Sequence, residues 1–230
     1  MLKYNILMRK KPLLISFSGS DCSGKSTHID LIVKSKLFSR RKIFVFWARG
    51  GYTPGFVTLK KILRIFLTKN LMPMGKSQKR QIIFKNKLIC MIWIHLALLD
   101  LIFFWVLVIR FKLLFGSIVI CDRYIDDTKL DFIYNFPNLE FQKLLLWKFL
   151  VFAKPKPDIS FLLSLSNKEI IKRSKLKNEP FPDSYETIKW RSNQYLNQLI
   201  FNDKDYTRID SDQTIKTIST LIQKHIAELK

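Results

Sequence analysis

The chain has 230 residues, 48% of them hydrophobic, which is enough to bury the core of one large α/β domain. Forty Lys and Arg against 18 Asp and Glu give a formal net charge of +22, so we expect anionic partners such as nucleotides, nucleic acid or an acidic membrane face. Seven Gly and eight Pro exclude collagen-like and low-complexity classes. The composition predicts a globular protein.

The cysteines indicate a reducing compartment. Cys22, Cys90 and Cys121 lie far apart and show neither the paired spacing of a zinc site nor the density of a disulfide scaffold. The first twelve residues carry Lys and Arg but no small-residue cleavage site, so we expect no signal peptide. We therefore predict a cytoplasmic protein with free thiols.

Short apolar runs alternate with helical patterns along the chain. The runs predict five strands, at Leu13–Phe17, Ile43–Trp47, Ile118–Ile120, Ile159–Leu165 and Tyr206–Ile209. Residues 26–37 and 214–229 are among the helical stretches. Because crossover connections between short strands favour a parallel sheet, we expect a single α/β domain with helices on both faces. Ligands of such sheets bind at the edge where the strand ends meet.

A glycine-rich segment follows the first predicted strand. Residues 19–26 read GSDCSGKS and satisfy G-x-x-x-x-G-K-[ST] between a strand and a helix, a context that a chance glycine turn would rarely meet. Its backbone N–H groups and the helix N-terminus would bind phosphate. Lys25 would neutralise the β and γ phosphates of ATP, and Ser26 would ligate Mg²⁺. The predicted ATP-binding residues are Gly19, Ser20, Cys22, Ser23, Gly24, Lys25, Ser26 and Thr27.

The third predicted strand ends in a carboxylate. Asp122, followed by Arg123, comes directly after the apolar run. Taken alone, such an Asp-Arg pair is more often a surface ion pair. Beside a phosphate loop, an aspartate at a strand end can hold Mg²⁺ directly or through water. We therefore predict Ser26 and Asp122 as metal ligands.

Together these segments resemble the thymidylate kinase family of nucleoside monophosphate kinases. The resemblance rests on Asp21 in the phosphate loop, on Arg49 and two glycines after the second strand, and on Asp122 followed by Arg123 and Tyr124. It covers nearly the whole chain. It implies a three-layer P-loop kinase fold, over residues 1–230, that moves the γ-phosphoryl group of MgATP to a nucleoside monophosphate, dTMP by family.

The resemblance also implies roles for individual residues. Asp21 and Tyr124 would bind the acceptor, Arg49 would lie near its phosphate, and Arg123 would bridge donor and acceptor phosphates. The basic stretch 168–185 resembles the lid that closes over ATP. Because Cys22 occupies the loop position where the family can place a catalytic arginine, the lid would supply it. The implied catalytic set is Lys25, Asp122, Arg123 and Arg173.

The sequence leaves the identity of the phosphate acceptor open. The helix before Asp122 offers only His95 and Asp100 where the family usually places a base-reading arginine, and residues 125–129 read IDDTK in place of the family pattern. Thymidylate, another nucleotide and another small phosphorylated or hydroxylated acceptor all fit the same phosphate machinery. Asp126, Asp127 and Asp131 either bind a sugar hydroxyl or solvate a loop, and we favour the loop.

Residues 88–109 form a long apolar stretch interrupted only by His95 and Asp100. Its length suits a membrane span, a peripheral or partner-facing helix, or a buried central helix, which we favour. With Phe103, Phe104 and Trp105 it also suits a homodimer interface like those of the family. The alternative function is a nucleotide-binding protein, or a kinase of a non-nucleotide acceptor, docked on a membrane or a partner through this helix. No nucleic-acid-binding motif accompanies the basic residues, so we expect no specific nucleic-acid partner.

Overall fold

The computed structural model describes residues 11–38, 41–47, 86–176, 184–197 and 200–229. In this part of the chain the protein is α/β, with one five-stranded, all-parallel sheet and helices around it. The strands β1 to β5 are Leu13–Gly19, Ile43–Trp47, Ile118–Asp122, Ile159–Ser164 and Thr207–Asp210. Their order across the sheet is β2-β3-β1-β4-β5. All five predicted strands are confirmed, and the architecture is compatible with a three-layer fold.

The helices connect these strands in crossover fashion. Helices α1 to α7 are Lys25–Lys34, Lys87–Leu114, Ile125–Asn135, Leu145–Ala153, Asn167–Leu176, Tyr185–Leu196 and Ile215–Ala227. Short 3₁₀ turns lie at Lys36–Phe38 and Phe141–Lys143. Helix α2 is wound as a π-helix between Ile102 and Ile109 and as an α-helix on both sides.

The strand register brings the carboxyl ends of three strands to one level. Asp122 at the end of β3 pairs with Phe17 of β1 on one side and with Trp47 of β2 on the other. After β1 the chain enters α1 on one face of the sheet, and after β3 it enters α3 on the opposite face. The connections therefore diverge between β1 and β3, and a crevice at such a point is where parallel α/β sheets bind ligands.

Two apolar layers bury the sheet. Alternate strand residues face opposite sides, so that Ile118 and Ile120 contact the layer beneath α1 and α7 whereas Val119 and Cys121 contact the layer beneath α2, α3 and α4. Burying each large apolar side chain contributes about 1.5–3 kcal/mol to stability. The two layers hold the strand ends in fixed positions.

Helix α2 is buried on one face only. Leu98, Leu101 and Trp105 are fully buried against the sheet, whereas Phe103 and Leu107 are more than half exposed. The prediction of a buried central helix therefore holds for one face and is wrong for the other. Among the described residues it is the one helix long and apolar enough to cross a membrane, and 39% of its most apolar window is buried.

The three aspartates after Tyr124 do not solvate a loop, and that interpretation is wrong. Asp126, Asp127 and Asp131 lie in α3, with Asp127 and Asp131 buried. The aspartates in the first turn compensate the positive N-terminal end of the helix, which favours a helix over a loop here. Of the predicted lid, residues 168–176 lie in α5, residues 177–183 lie outside the described residues, and residues 184–185 lie at the start of α6.

Candidate active site at the carboxyl edge of the sheet

The turn between β1 and α1 depends on backbone conformations that favour glycine. Gly19 and Gly24 have φ of 139° and 88°, and Cys22 also has a positive φ of 62°. A Cβ on Gly19 would lie 2.2 Å from the carbonyl oxygen of Leu163 in β4. Glycine at position 19 therefore allows the loop to leave the sheet in contact with the neighbouring strand.

The Lys25 side chain folds back into this loop. Its Nζ donates to the carbonyl oxygens of Gly19 and Ser20, at 2.9 and 2.6 Å, and to Ser23 Oγ at 3.4 Å. Burial and the nearby Arg123 lower the pKa of the amino group, the carboxylates of Asp21, Asp122 and Asp127 raise it, and the net result is a pKa of about 8. Lys25 is thus a buried amino group held by the loop.

Ser26 and Asp122 meet across the edge of the sheet. Ser26, at the start of α1, donates through Oγ to Asp122 Oδ2 at 3.2 Å. Asp122 Oδ1 is buried and has no hydrogen-bond partner in the described part of the chain. A hydroxyl oxygen next to an unpartnered carboxylate oxygen is a donor set that suits Mg²⁺. Thr27 follows on the exposed start of the same helix.

Arg123 leaves β3 in a strained conformation, and its side chain contacts the glycine-rich loop between β1 and α1. Its φ is 77°, and its backbone N–H donates to Phe17 O of β1 at 2.8 Å. The side chain is buried, and its Nη2 forms an ion pair with Asp21 of the loop. Nη1 donates to Tyr195 Oη at 2.7 Å and to Gly19 O at 3.3 Å.

Asp127 lies beside Arg123 and Tyr195 and accepts hydrogen bonds from both. Its Oδ1 accepts from Arg123 Nη1 at 3.0 Å and from Tyr195 Oη at 2.8 Å. Its Oδ2 accepts from Ser18 Oγ at 2.5 Å and from the backbone N–H of Tyr124 at 3.3 Å. Both carboxylate oxygens are therefore satisfied, and the carboxylate also caps the N-terminus of α3.

The surroundings keep Arg123 charged. Burial lowers the pKa of its guanidinium, but the opposing effects of Tyr195, Asp21 and Asp127 raise the pKa well above its ordinary value. A buried ion pair also joins α3 and α6, with Arg191 Nη1 of α6 2.9 Å from Asp131 Oδ1 of α3. The hydrogen bond from Tyr195 to Asp127 connects the same two helices, which together hold the charged groups beside the glycine-rich loop.

The structure brings some predicted residues together and places others elsewhere. Lys25, Ser26, Asp122, Arg123 and Asp21 converge at the carboxyl ends of β1 and β3. Of the other predicted ATP-binding residues, Gly19 ends β1, the turn that leads to α1 contains Ser20, Cys22, Ser23 and Gly24, and Thr27 lies in the first turn of α1. Arg49 lies outside the described residues.

The side chains of Tyr124 and Arg173 form their hydrogen bonds away from these five converging residues. The Tyr124 hydroxyl donates to Pro155 O at 2.7 Å, and its ring packs against Trp105 in the core. Arg173 donates to Ser211 O at 3.2 Å, just beyond the end of β5. It also lies 3.5 Å from Glu169 of its own helix. Arg173 is therefore at the edge of the sheet, two strands away from β1.

Sequence reasoning missed Ser18 and Tyr195 as site residues, and for Asp127 it favoured a solvated loop over a binding role. A local signal existed for Asp127, because it lies one helical turn after Arg123. No local signal existed for Tyr195, which lies 68 residues further along the chain. Its contact depends on the packing of α6 against α3.

No cluster of three or more His, Cys, Asp or Glu side chains that could hold a metal occurs among the described residues. A scan against protein-family models and a search of curated proteins both found no match to the chain.

Proposed function

We propose that this protein is an ATP-dependent phosphotransferase of the thymidylate kinase type, which moves the γ-phosphoryl group of MgATP to a nucleoside monophosphate. The observation that carries the proposal is the convergence of Lys25, Ser26, Asp122 and Arg123 at one edge of the sheet. A phosphate loop followed by an Asp-Arg strand end supplies the cations and metal ligands that phosphoryl transfer requires.

The residues of the loop suit a bound triphosphate. Lys25 is held within the loop by the carbonyl oxygens of Gly19 and Ser20, and the Ser20 hydroxyl is buried with no hydrogen-bond partner among the described residues. Ser26 and Asp122 would hold Mg²⁺, and the unpartnered Asp122 Oδ1 supports this assignment. When bound, the ion would neutralise charge on the phosphate oxygens. Magnesium sites of this kind use few protein ligands because phosphate and water supply the rest.

Arg123 would orient the acceptor phosphate. Asp127 and Tyr195 hold Nη1 from inside the protein, whereas Nη2 faces Asp21, whose side chain is 38% exposed. An acceptor phosphate would therefore reach Nη2 from the side of the partly exposed Asp21. A phosphate arriving there would meet a guanidinium that is already oriented, which lowers the entropic cost of reaching the reactive geometry.

The nature of the acceptor follows from the resemblance rather than from contacts. dTMP is the family acceptor, and Asp21 would face its sugar. Arg49, assigned to the acceptor phosphate, lies outside the described residues. A kinase of another small acceptor would use the same phosphate machinery.

The test is an ADP-release assay with MgATP against the nucleoside monophosphates and several nucleosides. The proposal predicts turnover with one class of acceptor, lost in Lys25→Met and kept in Lys34→Met, an exposed lysine at the other end of the same helix. Retained MgATP binding without turnover on any acceptor would overturn the nucleotide kinase and favour a nucleotide-dependent binding protein.

A further inference from the structure

The outer face of α2 carries a straight apolar row. Five side chains at intervals of four residues are 51 to 65% exposed, namely Leu99, Phe103, Leu107, Phe111 and Phe115, which directly follows the helix. Soluble proteins seldom leave so many large apolar side chains together on one surface. We call these five residues the apolar row.

The π-helical winding of α2 explains why the row is straight. In an α-helix of 3.6 residues per turn, a step of four residues overshoots one turn by about 40°. Such a row would curve around the helix within a few steps. A π-helix, with hydrogen bonds from i to i+5, has more residues per turn, so a step of four residues covers less than one full turn. The π segment Ile102–Ile109 thereby compensates the drift of the α segments on both sides.

Helix α4 extends the apolar surface. It lies next to α2, where Arg110 Nη2 donates to Ala153 O at 2.7 Å. Leu145 and Phe152 of α4 are 82% and 88% exposed, and Phe149 between them is half exposed. The two neighbouring helices therefore both present apolar side chains to the outside.

The charges beside this surface are nearly all positive. Helix α2 carries Lys87, Arg110 and Lys112 with Asp100 as its one acidic residue, and α4 carries Lys148 and no acidic residue. The whole chain has a formal net charge of +22. Exposed aromatic and aliphatic side chains bordered by lysine and arginine are typical of surfaces that lie in the headgroup region of anionic membranes.

We propose that the α2–α4 face docks on the surface of an anionic lipid bilayer, with the apolar row inserted among the headgroups. A second copy of the chain fits less well, because a two-fold interface would bring the same basic residues of both copies together. A membrane span also fits less well, because Leu98 and Trp105 on the inner face of α2 are part of the core over the sheet. The inference stands independently of the proposed function.

The test is flotation of the full-length protein with phosphatidylcholine vesicles, with and without phosphatidylserine, at low and high salt. We expect binding to the anionic vesicles only, weakened by salt. Leu107→Ser/Phe111→Ser should reduce the bound fraction at least tenfold. Leu196→Ser/Ile215→Ser, which removes two equally exposed apolar side chains from α6 and α7, should leave it unchanged.

Four outcomes would overturn the proposal. The first two are absence of binding to either kind of vesicle and binding that the apolar-row variant does not change. The third is a protein that does not bind vesicles and forms a dimer in solution, with the variant monomeric. The fourth is protein in cells that detergent, but not high salt, releases from membranes. ADP release by the variants in solution is measured in parallel. Because the apolar row is not part of the candidate active site, unchanged turnover with lost flotation would support docking separately from the kinase activity.

Discussion

Arg123 and Asp127 lie one helical turn apart and form a buried ion pair, with 3.0 Å between Nη1 and Oδ1. Neither side chain has appreciable contact with solvent, so each charge depends on the other and on the hydroxyl of Tyr195. Breaking a buried pair costs more than forming it contributes, because the remaining charge stays desolvated.

Asp127→Asn should therefore lower the free energy of unfolding by about 2–4 kcal/mol, since it leaves Arg123 with Asp21 as its remaining carboxylate partner. Urea denaturation measures this. Asp30→Asn, at an exposed position of α1, is the matched control and should change stability little. Equal stability of the two variants would mean that the pair does not hold Arg123.

Asp126→Asn should affect stability in a pH-dependent way. Burial raises the pKa of Asp126, although the hydrogen bond from Tyr206 Oη, at 2.6 Å, opposes this. The folded state then binds the proton more tightly than the unfolded state, so wild-type stability falls as pH rises through the folded pKa. The neutral asparagine avoids this loss.

Thermal melts across the acidic to neutral range check the sign. The Asn variant should be more stable than the wild type at about pH 7, and the difference should shrink towards about pH 4, where the aspartate is increasingly protonated in both states. A variant that is less stable at neutral pH, with a gap that does not change with pH, would contradict the account.

Two glycines of the loop between β1 and α1 should respond differently to substitution by alanine. At Gly19 a Cβ would lie 2.2 Å from Leu163 O, so the loop or β4 must move. At Gly24 the nearest atom is 3.5 Å away and only the positive φ is strained, which costs about 1–2 kcal/mol. Gly19→Ala should lower the free energy of unfolding by more than Gly24→Ala does, as measured by chemical unfolding. A larger loss in Gly24→Ala would contradict the close packing of the loop on β4.

Much of the fold was predictable because it depends on local patterns. Strands such as Ile43–Trp47 are short apolar runs between polar segments, and the glycine-rich loop of residues 19–26 is a contiguous motif. The contact between Asp127 and Tyr195 was not predictable, because it joins two helices that are distant in the chain. The exposed face of α2 was not predictable either. A uniformly apolar stretch has no polar residues that indicate which side faces solvent.

Arg173 provides a test of the proposed lid. It lies beside Ser211 at the end of β5, and a catalytic role would require it to reach the transferred phosphoryl group when the lid closes. If Arg173 is the catalytic arginine that the loop lacks at Cys22, Arg173→Met should reduce kcat by about 10³-fold or more, while Lys175→Met has a small effect. Similar kcat values for the two variants would assign Arg173 to the structure of the lid alone.

The most direct test of the central proposal is phosphorus NMR of MgATP mixed with nucleoside monophosphates and the purified protein. The account predicts that ATP signals decline while signals of ADP and a second nucleoside diphosphate grow together, and that Lys25→Met abolishes both changes. Unchanged spectra with the wild-type protein, or release of inorganic phosphate without a new diphosphate, would contradict it.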